Sequence, residues 1–367
     1  MAGENIIVGL DIGTTKVAAI IAEWDGSEKP RLIGIGTSPS EGLRRGVVIN
    51  LEKTVESIAS AVEDAEMVAG VKADSVFAGI AGDHIRSINS RGVIAVARSD
   101  REITSTDVDK VIEAAKTVAL PMDREIIHVL PQEFTVDDQP GIKDPLGMVG
   151  VRLETEVHIV TGAVTAAQNI YRAVKKAGLE VEDLVLQPLA SSYALLSPDE
   201  KELGVAVLDI GGGTTDFAIF FDGSIRHTGV VGMGGKNVTN DLAIGLRTPV
   251  DQAEEIKKVY GSAMTSLVDS DEMIEVPAVG GGDPKHISRN VLAAIIEPRM
   301  EEIFSLALQE MKKSNYCDLL ATGIVLTGGG GRGSQTDLPE CPGGDNRTSD
   351  GGDIQPDLAG DEEEQLL

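Results

Sequence analysis

The sequence predicts an α/β protein of two lobes, and three observations support that prediction. A strand–turn–strand hairpin occurs once near the N-terminus and again past the middle of the chain. A later apolar strand ends in a run of glycines. With 367 residues, 42% of them hydrophobic, the chain is long enough to bury two separate cores.

The two hairpins follow one pattern. Each has a buried strand with an Asp at its end, a turn of Gly and Thr, and a second apolar strand, 17–21 in the first copy and 217–221 in the second. The strand-end residues are Asp11 and Asp209. The first turn contains Gly13, Thr14, Thr15 and Lys16, and the second contains Gly211, Gly212, Gly213, Thr214 and Thr215.

Turns of this composition are typical of phosphate binding. Glycine lets backbone N–H groups approach phosphate oxygens closely, and the Thr hydroxyls add donors. An Asp at each strand end can hold Mg²⁺ through its water ligands. Two facing hairpins are therefore predicted to bind the β- and γ-phosphates of a nucleotide, with Asp11 and Asp209 flanking the metal. The alternative is a pair of glycine-containing hairpins that bind nothing; neither hairpin fits a P-loop or a Rossmann turn.

A third glycine cluster follows the apolar strand 324–327 and consists of Gly328, Gly329 and Gly330. Backbone without side chains lets a flat adenine approach closely. Alone, this cluster is only a strand followed by a turn. As the third element in this order, it supports a nucleotide site.

The composition limits the partners and the compartment. A net charge of −27 argues against nonspecific nucleic-acid binding, because phosphate contacts along a nucleic acid need Lys and Arg. With only Cys317 and Cys341, neither a disulfide framework nor a structural zinc site is expected. No basic leader precedes the first strand, and no apolar run approaches the roughly 20 residues that span a bilayer. We therefore expect a cytoplasmic protein.

The three elements, in this order, resemble the phosphate-1, phosphate-2 and adenosine motifs of the actin, Hsp70 and sugar-kinase superfamily. A closer resemblance, over about residues 5 to 330, is to the FtsA family of bacterial cell-division proteins. It is carried by further segments between the hairpins and after them, at 42–48, 128–133, 144–148, 158–162, 186–191, 246–249 and 296–299.

The resemblance implies an actin-like two-lobe ATPase fold with ATP and Mg²⁺ as ligands and a relocated small α+β subdomain in the first lobe. In support of a separate subdomain, a capped helix is predicted at 107–118 and a polar loop at 137–141. The implied plan is a first-lobe core at 1–85 and 163–200, the relocated subdomain at 86–162, a second-lobe core at 201–234 and 306–330, and a helical insert at 235–305.

Two further site assignments follow from the resemblance. In the superfamily, a Glu and a Lys one helical turn apart reach the ribose, and this maps onto Glu254 and Lys257 in a helix predicted at 250–260. The alternative is an i, i+3 surface ion pair. Gln187 lies where the superfamily carries the residue that orients the attacking water, with Asp209 as the other catalytic residue. Because Gln is a poor general base, at most slow ATP hydrolysis is expected; the alternative is a polar residue at a helix start.

The resemblance also implies partners. Members of the family polymerise, bind the C-terminal tail of the tubulin-like protein FtsZ, and recruit later division proteins through the relocated subdomain. They link the FtsZ ring to the cytoplasmic face of the cell membrane at the division site. Arg289 and Arg299, on either side of a helix predicted at 291–296, are candidates to bind an acidic tail; the alternative is a solvated helix face.

Residues 331–367 depart from the family pattern. They contain ten acidic residues against two arginines, with many Gly and Pro, so we expect a disordered tail. A family member would continue here with the rest of the second lobe and a C-terminal amphipathic helix that binds the membrane. We therefore expect an incomplete second lobe in a truncated or frame-shifted chain, without its membrane anchor.

Two other functions share the predicted fold. A small-molecule kinase would use the same phosphate site, but the sequence offers no candidate substrate pocket. A chaperone-type ATPase would need a peptide-binding domain after residue 330, and the acidic tail does not resemble one.

Overall fold

The computed structural model describes residues 6–26, 30–97, 100–269, 271–280, 282–330 and 347–348. The strands in chain order are β1 (Ile6–Ile12), β2 (Lys16–Glu23), β3 (Arg31–Pro39), β4 (Leu43–Arg44), β5 (Val47–Val48), β6 (Ser75–Ile80), β7 (Arg86–Ala95), β8 (Arg124–Val136), β9 (Gln139–Ile142), β10 (Arg152–Ala163), β11 (Glu180–Leu186), β12 (Val205–Ile210), β13 (Thr215–Phe221), β14 (Ser224–Val231), β15 (Met273–Val276), β16 (Lys285–Ser288), β17 (Ile324–Thr327) and β18 (Arg347–Thr348).

The α-helices are α1 (Leu51–Ala69), α2 (Ser105–Ala115), α3 (Val164–Lys176), α4 (Gln187–Leu195), α5 (Pro198–Leu203), α6 (Gly235–Leu246), α7 (Val250–Tyr260) and α8 (Arg289–Lys312). Short 3₁₀ helices lie at Thr265–Leu267 and Cys317–Leu319. Among the helices within the described ranges, none is long and apolar enough to cross a bilayer.

Two five-stranded sheets of the same topology form the two lobes. The first has the order β11-β6-β1-β2-β3 and the second β18-β17-β12-β13-β14. In each, three consecutive strands pair antiparallel, and the strand that begins the hairpin pairs parallel with a later one. The repeat that the hairpins indicate therefore extends to whole sheets. The fifth strand has seven residues in the first sheet and two described residues in the second.

Helix α1 packs directly on the first sheet. Asn50 caps its start, since its side chain accepts from the Lys53 N–H at 3.2 Å. Gly70, at φ 70°, ends it in the left-handed conformation. The close approach to β3 requires glycine, because a Cβ at Gly36 would lie 2.1 Å from the Ala61 carbonyl oxygen. This contact fixes the sheet that carries the first hairpin.

Residues 86–162 form a small sheet of their own, with the order β7-β10-β8-β9 and helix α2 on one face. A small apolar core lies between them and includes Val111, Phe134 and Leu153. Helix α2 begins at Ser105 rather than at the predicted 107, because Thr104 and Asp107 form a reciprocal cap. It ends at Ala115 rather than at 118.

The small sheet contacts the second lobe through polar side chains. The Ser87 hydroxyl donates to the Thr228 carbonyl at 2.9 Å, and Gln132 Nε2 donates to the Ile225 carbonyl at 2.7 Å. His158 is fully buried between Asn89 Oδ1, at 2.7 Å from Nδ1, and Thr228 Oγ1, at 3.0 Å from Nε2. The Ser87 and Gln132 bonds satisfy carbonyls on β14, the edge strand of the second sheet, and His158 binds a hydroxyl of the same strand.

The helical insert differs from its prediction at one helix. Helix α7 has the predicted bounds, but α8 runs from Arg289 to Lys312, whereas a short helix at 291–296 was predicted. Pro298 lies inside α8, and the buried side chains of Leu292, Ile303 and Phe304 hold the helix together on both sides of it. The predicted disorder of the tail falls outside the described residues, apart from the backbone of β18, which pairs with β17.

Candidate functional site

The two hairpin turns have the same local geometry. The Gly13 N–H donates to the Lys16 carbonyl at 3.0 Å, and the Gly211 N–H donates to the Thr214 carbonyl at 2.9 Å. In each turn the strand-end Asp lies two residues before the glycine that donates this bond. The equivalence arises because both strand pairs have the same antiparallel register around a short Gly/Thr loop.

The two turns face each other and touch. A Cβ built on Gly212 would lie 2.0 Å from Thr15 Oγ1, and a Cβ on Gly213 would lie 2.8 Å from Thr14 Oγ1. No L side chain fits at Gly212 unless the Thr15 side chain or the opposite turn shifts. The structure therefore brings together the Gly and Thr residues that the sequence predicts as a phosphate site. We call the space between the lobes at these turns the cleft.

Two carboxylates lie beside the turns. Asp11 can be reached by solvent from the open side of the cleft. Protein around the cleft nevertheless withdraws it from bulk water and, with the Asp209 carboxylate, raises the pKa of Asp11 to about 6 against the opposing effect of Lys16. Burial also raises the pKa of Asp209, which accepts a hydrogen bond of 3.2 Å from the Ser191 hydroxyl. The effect of the Asp209 charge on Asp11 indicates that the two carboxylates lie near the same space.

Gln187 lies at the first carboxylate. Its Nε2 donates to Asp11 Oδ1 at 2.5 Å. Gly79 on β6 makes room for the Gln187 side chain, since a Cβ there would lie 3.1 Å from Gln187 Cγ and from Nε2. Gln187 is the first residue of α4, so its backbone is that of a polar residue at a helix start, as the alternative expected. Its side chain, however, bonds to Asp11 at the cleft.

The third glycine cluster lies against the second carboxylate. A Cβ on Gly328, which has φ 84°, would lie 2.4 Å from Asp209 Oδ1. The Gly330 N–H donates to the Ile210 carbonyl at 2.8 Å, and a Cβ on Gly329 would meet nothing within 4 Å. Because β17 runs parallel to β12, the cluster opens at the same sheet edge as the second turn.

Glu254 and Lys257 form the i, i+3 ion pair that was the alternative to ribose binding, with Lys257 Nζ 2.7 Å from Glu254 Oε2. The pair also reaches helix α6, because Lys257 Nζ donates to the Gly235 carbonyl at 3.1 Å and to Thr239 Oγ1 at 2.8 Å. Burial acts to raise the pKa of Glu254, but hydrogen bonds from Lys257 and Thr239 outweigh it and the pKa is lowered. The N–H of Gly235 in turn donates to the Gly211 carbonyl of the second turn at 2.9 Å. The ion pair therefore lies next to the second turn.

Both candidate partner-binding arginines are engaged within the insert. Arg289 donates to the Tyr260 carbonyl and to Glu272, both at 2.8 Å. Arg299 makes a bidentate pair with Asp241, at 2.5 Å from Nε and 3.1 Å from Nη2, and its Nη1 also pairs with Glu302. An acidic peptide at either position would have to share or displace these intramolecular partners.

Sequence reasoning missed three residues at the cleft. Arg45, at φ 50°, lies beside the second turn, since a Cβ on Gly213 would be 3.1 Å from its Cα. Lys236 Nζ donates to the Thr14 carbonyl at 2.8 Å. Asp216, opposite Asp209 in the hairpin register, is buried and accepts from Thr214 Oγ1 at 2.7 Å. The only sequence signals were the Arg-Arg-Gly run at 44–46 and the Gly-Gly-Lys run at 234–236.

The donor set fits a hydrated magnesium nucleotide better than a metal site made by protein alone. In the described part of the chain, no group of three or more His, Cys, Asp or Glu side chains is placed to hold an ion. Mg²⁺ usually keeps several waters and takes one or two carboxylates together with phosphate oxygens. Asp11 and Asp209, beside glycine turns that a Cβ would obstruct, are suited to that arrangement.

Comparison of the whole fold with solved structures gives actin-like proteins. The structure titled PilM-PilN type IV pilus biogenesis complex aligns with a TM-score of 0.63 at 17% identity, covering 89% of this chain and 82% of that one. MreB5 of Spiroplasma citri bound to ADP aligns with a TM-score of 0.52 at 16% identity, covering 89% of this chain and 85% of that one. The predicted actin-like two-lobe α/β fold is confirmed.

Comparison of the sequence gives the family. A model described as the SHS2 domain inserted in FtsA matches residues 82–161, and one described as cell division protein FtsA matches residues 206–352. Cell division protein FtsA of Pseudomonas aeruginosa is 51% identical over 325 residues, covering 89% of this chain and 78% of that protein. The Neisseria meningitidis serogroup B protein is 49% identical, with the same two coverages. The chain belongs to the FtsA family of cell-division proteins.

Proposed function

We propose that the chain binds Mg²⁺–ATP in the cleft and that nucleotide occupancy controls its assembly with other division proteins. The observation that carries this proposal is the contact between two equivalent Gly/Thr turns, with Asp11 and Asp209 beside them. The N–H groups and hydroxyls of the turns would bind the phosphates, and the two carboxylates would hold Mg²⁺ through water. The ion supplies positive charge that neutralises the phosphates.

The wider site supports a nucleotide rather than free phosphate. The glycine cluster at 328–330 would receive the base, and Glu254 with Lys257 would face the ribose. Structures of MreB5 from Spiroplasma citri contain bound ADP or AMPPNP, and the fold is shared. Gln187, held by Asp11, would orient a water for slow hydrolysis. Its amide has no basic site, so it cannot accept the water's proton.

Calorimetry of the full chain tests this site directly. We expect one ATP to bind per chain, more tightly with Mg²⁺ than with EDTA. Asp11→Asn and Asp209→Asn should each weaken Mg²⁺–ATP binding by roughly 10-fold or more, since each removes an ionic interaction on the order of 1.5–3 kcal/mol. Asp64→Asn, on the exposed face of α1, is the matched control. A folded chain that binds no ATP would rule the proposal out.

We infer that this chain self-assembles, binds the acidic C-terminal tail of FtsZ and recruits later division proteins through residues 86–162, at the cytoplasmic face of the membrane at the division site. Membership of the FtsA family supports this role. Co-sedimentation with FtsZ filaments, with and without ATP, tests the partner, and sedimentation of the chain alone tests self-assembly. Vesicle flotation with and without FtsZ tests the membrane position. Turnover on small sugars in the absence of FtsZ binding would favour a kinase instead.

A further inference from the structure

Helix α6 holds Lys236 beside the second turn. The Gly235 N–H donates to the Gly211 carbonyl at 2.9 Å, and the Lys236 N–H donates to the Gly212 carbonyl at 2.8 Å. The first turn of the helix is therefore bonded to the glycine loop itself. The position of the Lys236 backbone cannot change without moving that loop.

The Lys236 side chain crosses from the second lobe to the first. It is exposed along the cleft, and its Nζ donates to the carbonyl of Thr14, in the first turn, at 2.8 Å. Partial burial lowers the pKa of Lys236, Glu254 opposes that effect, and Lys257 adds to it. The ammonium group thus lies between the two turns, where a bound anion would stabilise its charged form.

Lys16, in the first turn, opposes the pKa rise of Asp11, and a cation from the second lobe would add to that positive charge. The protein carries a net charge of −27, and Asp11 and Asp209 both face the space that polyphosphate would enter. Lys257, the other nearby ammonium of the second lobe, is already paired with Glu254 and two neutral oxygens. Lys236 has one neutral carbonyl as its hydrogen-bond partner, which a phosphate oxygen can replace with a stronger, charge-assisted bond.

We propose that Lys236 is a phosphate-binding residue that exchanges the Thr14 carbonyl for a phosphate oxygen when a nucleoside di- or triphosphate enters the cleft. This inference rests on the proposed function and adds a residue to it. The competing explanation is that Lys236 only ties the two lobes together. The two explanations differ in how the effect of the side chain depends on the number of phosphates.

The test compares ATP, ADP and adenosine by calorimetry on the full chain, in the wild type, Lys236→Gln and Lys236→Arg. We expect Lys236→Gln to weaken ATP and ADP binding by roughly 10-fold or more and to leave adenosine binding unchanged. Lys236→Arg, which keeps the charge, should stay within about threefold of the wild type. The affinity of Lys236→Gln for ATP should also depend less on salt.

Lys313→Gln is the matched control, because Lys313 is an exposed lysine of the second lobe that pairs with Glu310 at the end of α8. It should bind all three ligands as the wild type does. Equal losses for ATP and adenosine, unchanged ATP affinity, or tighter binding in Lys236→Gln would overturn the inference while leaving the proposed function intact. A wild type that binds neither ATP nor ADP would overturn both. Circular dichroism and thermal melts establish that each variant folds.

Discussion

The side-chain amide of Gln187 donates a hydrogen bond of 2.5 Å to Oδ1 of Asp11. The two residues come from distant parts of the chain, the end of β1 and the start of α4. Gly79 on the strand between them leaves the space in which the amide lies. This bond fixes a water-orienting candidate at a carboxylate that is also a candidate for holding Mg²⁺.

Gln187→Ala should separate chemistry from binding. We expect ATP-dependent phosphate release to fall roughly 10-fold or more, because a positioned polar group at the reacting water is lost. ATP affinity by calorimetry should stay within about threefold of the wild type, since the turns and both Asp residues remain. Gln139→Ala, on the exposed strand β9, is the control. Unchanged phosphate release would remove Gln187 from the reaction.

Gly212→Ala should damage the cleft without unfolding the lobes. The added methyl would lie 2.0 Å from Thr15 Oγ1, so the Thr15 side chain must rotate or the two turns must move apart. We expect ATP affinity to drop by roughly 10-fold or more, with a loss of stability on the order of 1–3 kcal/mol from overpacking. Gly9→Ala on β1 adds the same methyl where nothing lies within 4 Å, and it should bind ATP normally. Equal affinities in the two variants would show that the turns adapt.

The sequence predicted those parts of the molecule that local patterns determine. Helix α7 has the predicted bounds, Val250–Tyr260, because Pro249 marks its start and the lysines of its last turn complement the helix dipole. The paired hairpins were predictable because strand, Asp and Gly/Thr turn follow one another directly in the chain. Helix α8 was predicted too short, since burial of side chains on both sides of Pro298 is a tertiary effect.

The three cleft residues that sequence analysis missed were unpredictable for a different reason. Lys236 and Arg45 reach the first and second turn, respectively, from the opposite lobe, and Asp216 is significant because it faces Asp209 across a strand pair. None of these relationships leaves a spacing or periodicity in the sequence. They become visible only when the two sheets are packed together.

Arg299 offers a test of the acidic-tail assignment. Asp241 binds Nε and Nη2 of its guanidinium at 2.5 Å and 3.1 Å, and Glu302 pairs with Nη1, so Asp241→Asn should free the Nε and Nη2 edge for an external carboxylate. If Arg299 binds the FtsZ tail, Asp241→Asn should tighten that binding, and Arg299→Ala should weaken it, each by about 1 kcal/mol or roughly fivefold. Fluorescence anisotropy with a labelled tail peptide measures this, with Asp251→Asn as the control. Identical affinities in all variants would exclude this site.

His158 should make the contact between the small sheet and the second lobe sensitive to acid. Burial, with a smaller effect from His227, lowers the pKa of His158 to about 3 from an ordinary 6.5. The unfolded chain therefore binds the proton more readily between these values, and stability is lost as the pH falls below about 6.5. His158→Ala should cost about 1–3 kcal/mol at pH 7.5 in urea unfolding, because Asn89 and Thr228 lose a partner, and less at pH 5.5. The exposed His286→Ala should have no such effect.

Asp216 should have the opposite pH dependence. It is buried, its Oδ2 accepts from the Thr214 hydroxyl at 2.7 Å, and the backbone N–H of Gly82 also favours its charged form. Burial raises the pKa of Asp216 to about 7 from an ordinary 3.8; the Thr214 hydrogen bond opposes this and the Asp209 charge adds to it. The folded chain therefore binds the proton more readily between these two values. This contribution to stability is full at acid pH and is lost as the pH rises towards 7.

Asp216→Asn keeps the shape and removes the charge, so the ligand-free variant should be more stable than the wild type at pH 8 by on the order of 2–4 kcal/mol. The gain should shrink by on the order of 1–2 kcal/mol at pH 5.5, where the wild-type carboxyl is already protonated in the folded state. Urea unfolding at the two pH values measures both numbers, with the exposed Asp64→Asn as control. A variant less stable than the wild type at pH 8 would contradict this prediction, because it would mean that the charged carboxylate stabilises the folded chain.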